Sequence, residues 1–101
     1  MELFERFLAL EVVVNIVSED EYKQFINRCK RCRLYSIKQI EQLSFNDLHN
    51  SGGLPKYRIG DVCIEFQPEM GFALGGKQSY LNYGCEVISV KEFLEATDEL
   101  L

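Results

Sequence analysis

Several stretches of the chain hold side chains fit to bind a metal, a phosphate or a charged partner. Cys29-Lys30-Arg31-Cys32 has the two-residue gap between thiols that zinc and redox sites use. Cys63, Cys85 and His49 are the further ligands on offer. The placement argues otherwise. Cys29 and Cys32 fall on the apolar stripe of a helix, where cysteine behaves as a small hydrophobe. Cys63 and Cys85 stand singly inside strands, away from the tight knuckles of zinc ribbons. All four therefore read as core thiols, with no metal and no cofactor. The flanking bases would lower the Cys32 pKa if that thiol were exposed.

Gly71-Phe72-Ala73-Leu74-Gly75-Gly76-Lys77 spells the first seven positions of a P-loop, but the eighth is Gln78 where Ser or Thr should hold magnesium. Too little chain follows to supply the helix and parallel sheet that a P-loop needs. The bland reading is a Gly-Gly turn between short strands. The chemical reading is a mobile stretch in which Gly75, Gly76, Lys77, Gln78, Ser79 and Tyr80 offer amides, a cation, a hydroxyl and an aromatic ring to a phosphate or a base.

His49 is the sole histidine and reads as a solvated loop residue. No local motif assembles a nucleophile with a base, so no catalytic residue is assigned and a non-enzymatic role is expected. Arg28, Lys30, Arg31 and Arg33 form a basic knot. Cations at a helix C-terminus follow from the dipole alone. Arg28, Arg31 and Arg33 are also candidate contacts to an anion or a partner. From Glu86 onward there are five acids and one base, which fits a solvated amphipathic helix or an acidic docking face.

These groups must be positioned by regular elements. Leu8 to Val17 alternates with dense β-branching and predicts a central first strand. Residues 2–7 before it fit a helical turn or an extension of that strand. Ser18-Glu19-Asp20-Glu21 predicts a capping box, with the Glu21 carboxylate reaching the Ser18 amide. The helix it opens runs to about Cys32 with Tyr22, Phe25, Ile26, Cys29 and Cys32 on one face. Leu34 to Leu43 is open between a short helix capped by Ser36 and a strand. Residues 44–55 read as a loop. Val62 to Phe66, Gly71 to Leu74 and Gly84 to Ile88 read as strands. Ser89-Val90-Lys91-Glu92 is a second capping box. The helix it starts buries Phe93, Leu94 and one of Leu100 and Leu101.

The order predicts one α+β domain over residues 1–101. Its expected architecture is a single antiparallel sheet of four to five strands, with a capped helix after the first strand and a C-terminal helix packed on it. The chain has 101 residues, 47% of them hydrophobic, and a formal charge of −5. That size excludes a large multidomain enzyme. The acidic balance excludes wrapping duplex DNA, and it is compatible with imitating nucleic acid or with binding a basic protein. The opening residues lack the basic region of a signal peptide, and the longest apolar run is too short to cross a membrane. A cytoplasmic location with reduced thiols is expected. Action by binding, alone or as a homo-oligomer, suits this scale.

Ser18-Glu19-Asp20-Glu21-Tyr22 after a Val-rich strand, and Gly84-Cys85-Glu86-Val87-Ile88-Ser89-Val90-Lys91-Glu92-Phe93-Leu94 near the end, resemble a diffuse set of small phage and prophage proteins. The set includes the Thoeris anti-defence sponges, which sequester cyclic-ADP-ribose-type signals, and similar small folds occur among anti-CRISPR proteins. The Gly-aromatic-x-Trp element common there is replaced by Arg33-Leu34-Tyr35-Ser36, and Cys85 stands where an aromatic is usual. No binding residue is carried over. The resemblance implies a counter-defence protein in a bacterial host cell. It would bind and inhibit a host immune protein of CRISPR type, or sequester a cyclic nucleotide or ADP-ribose-type signal. A housekeeping interaction domain is the remaining reading.

Overall fold

The computed structural model describes residues 2–34, 37–51, 54–55 and 57–98. Ser36, Leu100 and Leu101 lie outside the described residues. The elements in order are α1 (Glu2–Leu8), β1 (Val12–Ile16), α2 (Glu19–Arg31), α3 (Ile37–Glu41), α4 (Phe45–Leu48), β2 (Asn50–Ser51), β3 (Leu54–Pro55), β4 (Val62–Gln67), β5 (Gly71–Gly76), α5 (Lys77–Asn82), β6 (Glu86–Ser89) and α6 (Val90–Thr97). The α+β class holds, with one helix after the first strand and another near the C-terminus.

The main sheet has four strands in the order β5-β4-β1-β6, and it is mixed rather than antiparallel. β1 pairs antiparallel with β4 but parallel with β6, Val12 opposite Glu86 and Asn15 opposite Ser89. The parallel pairing has a physical cause. Each of these two strands runs straight into a helix, and α2 and α6 pack together on the same face. Arg28 ties the two helices. Its guanidinium donates to Leu94 O (2.6 Å) and Thr97 Oγ1 (2.7 Å) and pairs with Asp98 (2.9 Å). A separate two-stranded ribbon, β2 with β3, replaces part of the expected loop. The other part is α4, closed by a capping box between Ser44 and Asp47.

The expected strand from Leu8 begins only at Val12. Leu8 completes α1, and Leu10 turns the chain with φ +67°. The Glu11 amide donates to Arg6 O at 2.9 Å, a helix-ending bond that usually recruits glycine at the left-handed position. The period-two pattern ahead of Val12 therefore came from helical residues and a turn. This places Phe7 in the core, fully buried against Phe25, Phe66 and Phe93.

α2 and α6 form where the capping signals put them. Ser18 Oγ accepts from the Glu21 amide (3.2 Å), whereas the Glu21 carboxylate reaches the Val17 amide (3.3 Å) rather than that of Ser18. Ser89 and Glu92 make the full reciprocal box. The open segment after α2 resolves as helix α3. The Tyr22 hydroxyl anchors its end, with Ile40 O at 2.5 Å and Leu43 O at 2.8 Å. One face of the sheet carries the main core with α1, α2 and α6. The other buries Val13 and Cys63 against Tyr80 of α5. No described helix is long and apolar enough to cross a membrane.

Candidate functional site

The segment singled out for phosphate chemistry is regular structure, not a mobile turn. Gly75 and Gly76 are the last residues of β5, opposite Cys63 and Val62. Gly75 is glycine for want of room, whereas Gly76 has space for a Cβ. A Cβ on Gly75 would lie 2.7 Å from Tyr80 Cε2, while one on Gly76 would meet the Tyr57 ring at 3.6 Å. The two rings occupy opposite faces of the strand end, so the pair reads as a break although Gly75 is there for packing. Lys77, Gln78 and Ser79 form the exposed first half of α5. Tyr80 turns inward and is 8% exposed. Burial, reinforced by the nearby Glu65 carboxylate, pushes its hydroxyl far up. It is an anchor for α5, not a stacking surface.

Gly76, Lys77, Gln78 and Ser79 line an open groove of about 620 Å³. Tyr57, Arg58, Asp61 and Leu81 complete it. Two backbone bonds hold the main chain of its charged residues together. The Asp61 amide donates to Arg58 O at 3.0 Å, closing a turn in which Gly60 has φ +95°. A positive φ at the third position makes this type II geometry, with the Arg58 and Asp61 Cα atoms within about 7 Å. The Lys77 amide then donates to Asp61 O at 2.7 Å, pinning the start of α5 to the same turn. Among the described residues, neither Arg58 nor Lys77 has a carboxylate at ion-pair distance. Gln78 is partly spent on Asn82, to which its amide donates at 2.9 Å.

Asn15 supports this turn from below. Its side-chain amide donates to Gly60 O (2.8 Å) and Val62 O (3.0 Å). It also approaches Cys63 Sγ at 3.9 Å. In the sequence Asn15 is one residue on the second face of a strand, Tyr57 opens a strand or hairpin half and Gly60-Asp61 is a turn signal, and none of Asn15, Tyr57, Arg58 and Asp61 is marked for function. The one available signal was an amide side chain inside a Val-rich central strand, where every buried polar group needs a partner.

The other candidates scatter. Arg28 is occupied by α6, its side chain 13% exposed, which gives it a structural task. Arg33 is exposed and ends α2 in the left-handed region at φ +59°. Arg31 is exposed on the last turn of α2. None of the three lines the Arg58–Lys77 groove. His49 is no solvated loop residue. It is 6% exposed, with Nδ1 2.9 Å from Phe45 O and its ring edge-on to Phe45. Its buried Nε2 has no partner among the described residues.

The thiols do not gather. Cys29 and Cys63 are buried, Cys32 and Cys85 partly so, and all four are free. Burial pushes Cys29 up strongly and Cys63 up to about 11. At Cys32 burial outweighs the opposing Arg28 and Arg31, so this thiol too goes up rather than down. Among the described residues, no three His, Cys, Asp or Glu side chains are grouped to hold a metal ion. Comparison with protein-family models, curated proteins and solved structures finds no match to this chain.

Proposed function

We propose that this protein is a non-enzymatic binding protein of the phage counter-defence type that sequesters a small nucleotide-like immune signal. The observation that carries the reading is the groove, which Arg58, Lys77 and Tyr57 line together, neither cation having a carboxylate at ion-pair distance among the described residues. Two free cations pinned to one turn suit a phosphate, and an adjacent aromatic edge suits a base. The local positive charge also answers the overall −5, because a ligand responds to the nearest groups and salt screens the rest.

Thermal unfolding against a panel of cyclic nucleotides and ADP-ribose derivatives tests it. A ligand at a hundred times its Kd stabilises the folded state by about 2.7 kcal/mol. That is roughly 10 °C or more in Tm for a domain of this size. Arg58→Ala and Lys77→Ala should abolish the shift. A Tm unmoved by every compound refutes sequestration.

A second reading is inhibition of a host immune protein by direct docking. The observation favouring it is apolar exposure next to groove-lining residues. Ile59 after Arg58 is 76% exposed, Leu81 is 46% exposed, and Tyr83 just beyond it is 87% exposed. Docking through acidic mimicry of nucleic acid would weaken steeply with salt, whereas docking through these side chains would not.

A further inference from the structure

The groove contains a group that a phosphate alone does not explain. Asp61 lines the same groove as the two cations without pairing with either, and a carboxylate repels phosphate. The fourth position of a type II turn makes no demand for an acid. The Asp61 side chain has no hydrogen bond or ion pair to another described residue, although its main chain is held at both ends. The residue is thus held at its backbone while its acceptor oxygens are unspent. They suit a ligand that brings hydroxyl donors alongside its phosphate.

We propose that Asp61 is a specificity residue that reads the vicinal hydroxyls of a ribose, so that the groove takes ribonucleotides over their deoxy counterparts. In this arrangement the ribose hydroxyls donate to the Asp61 carboxylate, while Arg58 and Lys77 take the phosphate. A carboxylate accepts two such bonds at once. Asn15 is the positioning residue, because its amide holds the Gly60 and Val62 carbonyls on either side of Asp61. The inference rests on the sequestration reading and deepens it by naming the sugar.

Isothermal titration of the full chain with ADP, with 2′,3′-dideoxy-ADP and with inorganic pyrophosphate separates the two levels. ADP should bind the wild type roughly tenfold or more tighter than dideoxy-ADP, the worth of one hydrogen bond to a charged group. In Asp61→Asn the preference should shrink to within about threefold. Asp61 is exposed, so the variant should keep the wild-type melting temperature. Pyrophosphate should bind more weakly than ADP. Equal binding of ADP and dideoxy-ADP, or a preference unchanged in Asp61→Asn, overturns the ribose assignment and leaves the groove reading standing. No binding of any of the three overturns both.

Discussion

Replacing Gly75 and Gly76 in turn by alanine tests how the groove is built. The two neighbours share a strand and a residue type, yet they should respond differently. A Cβ on Gly75 would lie 2.7, 2.9 and 2.9 Å from Tyr80 Cε2, Cζ and Oη, well inside ordinary contact. Tyr80 has nowhere to go, because it packs against Val13 and Cys63, both fully buried. Overpacking of this kind costs about 1–3 kcal/mol. The lost chain freedom of the unfolded state returns about 0.4–1 kcal/mol. The net is a loss of roughly 1–2 kcal/mol, or about 5–15 °C in Tm. At Gly76 the nearest atoms are Tyr57 Cε1 and Cδ1 at 3.6 and 3.7 Å, ordinary contact. There the same entropic gain is set against a poorer N-cap, and the change should stay within about 0.5 kcal/mol. Urea and thermal unfolding of both variants read the contrast. In a Tyr80→Leu background, Gly75→Ala should lose most of its cost, because the ring atoms it strikes are gone. Equal effects at the two glycines, or an undiminished cost in that background, would refute the steric account.

The other predictions concern parts that hold the groove or the core. Asn15→Ala removes both supports of the Arg58–Asp61 turn and should cost about 1–3 kcal/mol. Hydrogen exchange at the Asp61 amide should accelerate, and an unchanged rate would show that the turn stands by itself. Arg28→Ala should cost about 2–3 kcal/mol by separating α2 from α6, measured as a fall in urea midpoint. The Tyr22 hydroxyl is pushed up from 10.0 to about 12 by burial, so the folded state prefers it protonated. Its stabilising share is complete below pH 10 and is lost as pH rises towards 12. Denaturant titrations across that window should show a smaller decline in Tyr22→Phe than in wild type.

The parts of the fold written in local chemistry were readable. The caps of α2 and α6, the stripe through Phe25 and the alternation of β4 each rest on neighbours within a few residues. Parallel pairing of β1 with β6 rests on two helices meeting across the whole chain, a contact with no local mark. α1 was one of two alternatives, and its end was hidden because Leu10 adopts a left-handed turn that usually calls for glycine. α4 was hidden because Ser44, Asn46 and Asp47 are turn formers as well as cap formers. At the site, Lys77, Gln78 and Ser79 were found through their resemblance to a phosphate loop. Arg58 and Asp61 were not, because only the fold brings a turn before β4 alongside the end of β5. Tyr80 was found for the wrong reason, since its ring faces inward.

The place of β1 in the sheet also has a cost during synthesis. Its partners β4 and β6 occupy residues 62–67 and 86–89, so this Val-rich strand has no hydrogen-bonding neighbour until most of the chain is made. At roughly 5–20 residues per second, about 4–15 s pass between completion of β1 and of β6. During that interval a short, apolar segment with at least one unpaired edge is open to pairing with other nascent chains. α1 and α2 can cover one side of it early, but neither supplies a strand. Yield in the cell should therefore depend on synthesis rate and temperature more steeply than the stability of the finished domain would suggest.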